Sequence, residues 1–221
     1  MKFPKNFFKL LSLDVGFFVV ITLLFVFFKA KINSYVSLFQ DYSSVLASIN
    51  PELNPVEAEQ ALQLVNSLAN NALFLFILIP VILFIVYVAF QGGSFAFLQK
   101  KKNYLMKFSL ITLPVYLLLV LAAFYGWPVW TWIFIFLLGY GMFLLYLQHD
   151  WKKVMKLFKK AYVTFPLYLG YAAFFFFIGL FLFYFYLQTI IELYPYWIFA
   201  VILILLLGLS WYRLWLVKKF G

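Results

Sequence analysis

The chain of 221 residues has no cysteine, a single histidine and only seven acidic residues against seventeen basic ones, and 11% of its positions carry charge. Without cysteine there is no disulfide framework, no thiolate nucleophile and no thiolate metal site. One histidine cannot furnish a histidine-rich metal centre, so no metal and no cofactor are expected. The shortage of charge excludes a water-soluble domain, in which about a quarter of positions are charged. Disorder is excluded by what fills the gap. The chain is 67% hydrophobic and holds 31 Phe, 16 Tyr and 7 Trp, more apolar surface than a small domain can hide from water. A mean hydropathy of +1.01 makes the bilayer the solvent.

Motifs for catalysis are missing as well. No HExxH zinc helix, GxxxxGK[ST] phosphate loop or GxSxG nucleophile elbow occurs, and no span carries paired carboxylates. An enzyme is therefore not expected. Gln91-Gly92-Gly93-Ser94 has the composition of a phosphate-cradling turn, but no strand precedes it and it falls where a span ends.

A hydrocarbon core about 30 Å thick needs roughly 20 apolar residues in a helix. Six stretches meet this: Leu10–Phe28, Ala72–Phe90, Phe108–Tyr125, Val129–Gln148, Leu167–Leu187 and Tyr196–Leu216. The fold class is thus all-α, a single six-span membrane domain over residues 1–221. The basic N-terminus and first apolar run resemble a signal peptide, but Phe27-Phe28-Lys29-Ala30-Lys31 offers no small-residue cleavage site, so the first span is read as retained. With six spans, fifteen basic residues fall on one side and only Lys29 and Lys31 on the other. Basic loops stay in the cytoplasm, which places both termini there in a multi-pass protein of the cell membrane. Trp127, Trp130, Trp132 and Trp197 mark the outer boundary, and Trp151, Trp211 and Trp215 the inner one.

Three basic segments precede odd-numbered spans, beginning near Lys5, Lys102 and Lys153, and share short matches such as Met106-Lys107-Phe108 with Met155-Lys156-Leu157. They suggest three elbow-plus-hairpin pseudo-repeats. The last elbow has the plainest pattern. Trp151, Val154, Met155, Leu157 and Phe158 form an apolar stripe against Lys152, Lys153, Lys156, Lys159 and Lys160, the arrangement of a helix lying among anionic headgroups. This alternation is what a basic juxtamembrane segment requires, so no nucleic-acid partner is expected. An N-terminal elbow followed by six spans resembles the plan of the membrane subunits of some ATP-driven exporters, a likeness of plan without a shared motif, and it implies a permease role.

Residues 29–71 form the longest stretch outside the spans. Ile32, Tyr35, Val36, Phe39 and Tyr42 follow helical periodicity until Asn50-Pro51 interrupts it. Asn54 then caps a second helix with Pro55 at its first position and Glu57 in its first turn, and this helix has no breaker before the second span. The outer part is thus an extracytoplasmic helical hairpin. Asp41, Glu57, Glu59, Asn66 and Asn70 make its polar face, the candidate surface for other membrane-protein subunits.

Ionisable groups inside spans are costly and usually functional. Here they are few: Asp14 near the cytoplasmic end of the first span, expected to cap that helix or pair with a lysine, and His149 with Asp150 closing the fourth. Pro80 should kink the second span. Ala89/Gly93, Gly92/Ala96, Ala122/Gly126, Gly139 and Gly141 read as sites of close helix approach. So little polar chemistry in the interior points to a non-enzymatic scaffold, accessory or lipid-organising protein, with the membrane subunit of a small-molecule or lipid transporter as the alternative.

Overall fold

The computed structural model describes residues 6–48, 55–100, 103–148, 151–187 and 196–220. Among these every regular element is helical: α1 (Phe7–Ser48), α2 (Pro55–Tyr87), a π-helical turn (Val88–Gly92), α3 (Gly93–Gln99), α4 (Tyr104–Tyr125), α5 (Val129–Leu147), α6 (Trp151–Phe158), α7 (Ala161–Leu187) and α8 (Tyr196–Phe220). Six helical stretches are long and apolar enough to cross a membrane, as the sequence predicts. The chain is an integral membrane protein of all-α class.

Local sequence explains the boundaries. Nothing between Phe28 and Ile32 breaks a helix, because Lys29, Ala30 and Lys31 all favour one, so the amphipathic segment from Ile32 continues the first span instead of starting a new helix. α2 starts at Pro55 with Glu57 in its first turn, as the capping pattern requires. The α4–α5 connection turns at Gly126, whose φ of +58° favours glycine, and the small-residue pattern at Ala122/Gly126 is therefore a helix end. Helix α2 is unbroken through Pro80. The departure from α geometry comes eight residues later, at Val88–Gly92.

Of the three basic segments that precede odd-numbered spans, the one that begins at Trp151 forms a short separate helix, α6. Its three lysines, Lys152, Lys153 and Lys156, are exposed, and Val154 is its buried residue. Helix α4 instead enters its span directly from Tyr104, which is buried and donates its hydroxyl to the Tyr146 carbonyl at 2.6 Å. Residues 1–5 and 101–102, where the other elbows would begin, lie outside the described residues.

Contacts divide the chain into two compact units, Met1–Val20 with Phe84–Gly221, and Ile21–Leu83. The first unit has an aromatic core. Phe108 stacks on Tyr146 with centroids 4.2 Å apart, and Phe95, Phe143, Tyr168 and Tyr171 pack around them. In lipid the apolar effect does not drive helices together, so close packing and hydrogen bonds must. Both are present. A Cβ on Gly92 would lie 2.8 Å from the Phe108 ring, and one on Gly139 would lie 2.6 Å from the Tyr168 hydroxyl, so these glycines permit close approach, while Gly93 and Gly141 face open space. Phenol hydroxyls then tie helix to helix: Tyr168 donates to the Phe136 carbonyl at 3.0 Å and Tyr212 to that of Leu167 at 2.8 Å.

The second unit consists of the segments of α1 and α2 between Ile21 and Leu83. Residues of both helices line clefts of about 610 and 290 Å³.

Candidate functional site

Asp14 is the one intramembrane carboxylate of the described residues, and the fold gives it a partner 199 positions away. Arg213 Nη1 of α8 donates to Asp14 Oδ1 at 2.9 Å, and Ser210 Oγ, one turn earlier on α8, donates to Oδ2 at 2.6 Å. The second guanidinium nitrogen, Nη2, donates to Gln91 Oε1 at 2.6 Å. All four side chains are completely buried. Thus the expectation that Asp14 caps its helix or meets a lysine is replaced by an arginine pair deep in the core, and Arg213, counted above with the surface charges, belongs to the interior.

Helix register brings these residues to one level. Asp14 lies seven residues after the start of α1, Gln91 eight before the end of α3, and Arg213 seven before the end of α8. At 1.5 Å per residue each sits about 11 Å inside its helix end. Those ends share one side: Phe7 packs against Trp211 with centroids 6.0 Å apart, and the Lys9 ammonium lies 5.5 Å from the Phe97 ring. The π-helical turn inserts an extra residue per turn, and it is this turn that carries Gln91 against the guanidinium. Ser94 then donates to the Phe90 carbonyl at 2.8 Å.

Taking two charges out of water is unfavourable unless geometry and further hydrogen bonds compensate. Here both carboxylate oxygens accept bonds, and the guanidinium also lies 5.4 Å from the Phe95 ring, a cation–π contact that favours the charged form. Among the described residues, Gln91 Nε2, Arg213 Nε and the Tyr171 hydroxyl have no hydrogen-bond partner. A second polar layer adjoins on the α4–α5 side. The Tyr146 hydroxyl is 2.6 Å from Thr112 Oγ1, which also bonds the Phe108 carbonyl at 2.6 Å, and Gln99 Nε2 donates to the Leu147 carbonyl at 2.8 Å.

The other candidate residues are dispersed. His149 and Asp150 lie outside the described residues. Asp41 on α1, and Glu57, Glu59, Asn66 and Asn70 on α2, are all exposed, as are Lys152, Lys153, Lys156, Lys159 and Lys160 around α6. Among the described residues no group of three His, Cys, Asp or Glu side chains is placed to hold a metal. Arg213 did carry a signal in the sequence: it is the sole arginine beside sixteen lysines, and it falls inside the last apolar run. A planar, always-charged fork suits a buried carboxylate pair better than an ammonium does. No protein-family description, curated protein or solved structure matches this chain.

Proposed function

We propose that this integral membrane protein has a non-enzymatic scaffold, accessory or lipid-organising role. The observation that carries the reading is the sealed Asp14–Arg213 pair. The charge within the spans is spent on joining α1, the π-helical turn and α8, and its groups are wholly buried. What remains for partners lies at the periphery: the exposed acidic and amide face of the hairpin, its apolar clefts, and the lysines around α6. With both termini in the cytoplasm, those lysines meet anionic headgroups.

The test compares two sets of variants at matched expression, by thermal stability in mild detergent and by the proteins that co-purify. Asp14→Asn and Arg213→Gln should lower stability, with association falling only as folded protein is lost. Glu57→Gln with Glu59→Gln, or Lys156→Gln with Lys159→Gln, should weaken association at unchanged stability. If Asp14→Asn leaves a stable, correctly assembled protein that has lost its cellular phenotype, the permease reading replaces this one. That second reading draws on one feature, the π-helical turn with the Gln91 Nε2 amide nitrogen, which has no hydrogen-bond partner among the described residues, since interrupted helices with polar groups are typical of transport sites.

A further inference from the structure

We infer that the smaller cleft between α1 and α2 binds one anionic phospholipid, an inference that rests on the lipid-organising reading and gives it a site. The cleft, about 290 Å³, is apolar along its length, where Leu24, Phe27 and Phe28 of α1 face Phe74, Leu78 and Ile82 of α2. At one end the lining changes character. Lys31, Tyr35 and Asn71 meet there, an ammonium, a phenol and an amide on two different helices.

The apolar runs place that end at headgroup depth twice over. The first run ends at Phe28, three residues before Lys31, and the second begins at Ala72, directly after Asn71. Each helix thus sets its polar residue where phosphate and glycerol lie, with the apolar slot running from there into the hydrocarbon. Lys31 is exposed, and among the described residues no carboxylate is paired with it. Its charge is available to a phosphate, and tyrosine and asparagine donate to phosphate or ester oxygens. The larger cleft adjoins at Tyr35 and Leu75 but brings only Gln40 and Ser43 as additional polar residues, with no cation, so headgroup recognition belongs to the smaller one. Phosphatidylglycerol fits this chemistry and phosphatidylcholine does not, because its quaternary ammonium neutralises the phosphate and meets Lys31 with like charge.

Full-length protein, delipidated in detergent, is titrated with phosphatidylglycerol or phosphatidylcholine, and the first lipid bound is resolved by native mass spectrometry. The wild type should favour phosphatidylglycerol. Lys31→Gln should reduce that preference about fivefold, the equivalent of one near-surface cation, and Lys31→Arg should restore it. Leu78→Trp, which fills the slot, should remove the first-bound lipid whatever its headgroup. Lys156→Gln should leave the first binding step unchanged, which separates this site from general attraction to the lysine-rich side. Equal affinity for the two lipids, or a Lys31→Gln protein that keeps the wild-type preference, would overturn the inference. So would displacement of the lipid by excess inorganic phosphate, which would make the polar end a free-phosphate site. None of these results bears on the Asp14 and Arg213 variants, so the two readings fail separately.

Discussion

At the scale of single residues, the buried ion pair makes a sharp thermodynamic prediction. Removing one partner leaves an uncompensated charge in the core, whereas removing both leaves none. Arg213→Met alone should therefore destabilise the folded protein by about 3–5 kcal/mol, and Asp14→Leu alone by a comparable amount. The double variant Asp14→Leu/Arg213→Met should recover much of the loss, a non-additivity that a thermal-unfolding cycle in detergent measures directly. Additive losses would show that the pair contributes little beyond its two separate side chains. Asp14 was legible in the sequence because a carboxylate inside an apolar run is rare. The role of Arg213 is masked in the sequence because it stands close to Lys218 and Lys219, and helix-end cations usually reach the headgroups. Gln91 was hidden for a different reason: its role depends on a π-helical turn, a local change of helix geometry that no apolar periodicity announces.

At the scale of elements, the π-helical turn and α3 can be tested by two adjacent glycines with opposite expectations. Gly92 lies against Phe108, which is 1% exposed and stacked on Tyr146, so neither ring has room to yield to a Cβ placed 2.8 Å away. Gly92→Ala should cost about 1–3 kcal/mol by overpacking. Gly93 has no neighbour within 4 Å and a helical φ of −59°, so Gly93→Ala should be neutral or stabilising by up to about 1 kcal/mol. Thermal midpoints of the two variants in the same detergent check the contrast. The sequence marked both positions as small-residue contacts and could not separate them, since which glycine faces α4 depends on the rotation of the π-helical turn. Elbows met a similar limit. Lysines alternating with apolar residues precede both α4 and α6, yet Tyr104 and Phe108 are drawn into the aromatic core while Trp151, Met155 and Phe158 stay exposed around Val154. Surface helix and span entry share a pattern at this length, and the deciding contact comes from α5.

At the scale of the whole molecule, charge placement together with the arrangement of helix ends predicts a membrane orientation. In the first unit, the start of α1 packs against the last third of α8 ahead of its end, through Phe7 and Trp211, and the start of α4 meets the end of α5 through Tyr104 and the Tyr146 carbonyl. Alternating spans then put the α4–α5 turn on the opposite face, where Trp130 is 78% exposed. Even with Arg213 withdrawn into the core, the six-span reading of the sequence counts fourteen lysines on the side of the termini against Lys29 and Lys31 on the other. Translocating the fourteen is the less favourable outcome, so that side should be cytoplasmic. The chain has no native cysteine, so a single introduced thiol reports its own position without a background signal. In intact cells a membrane-impermeant thiol reagent should modify Trp130→Cys and Glu57→Cys, and should reach Lys159→Cys only after the membrane is permeabilised. Labelling of Lys159→Cys in intact cells, with Trp130→Cys protected, would invert the orientation and move the lysines of α6 away from the anionic leaflet. Protection or labelling of both sites together would contradict the alternation of the spans themselves, because α5 is then the helix that fails to cross.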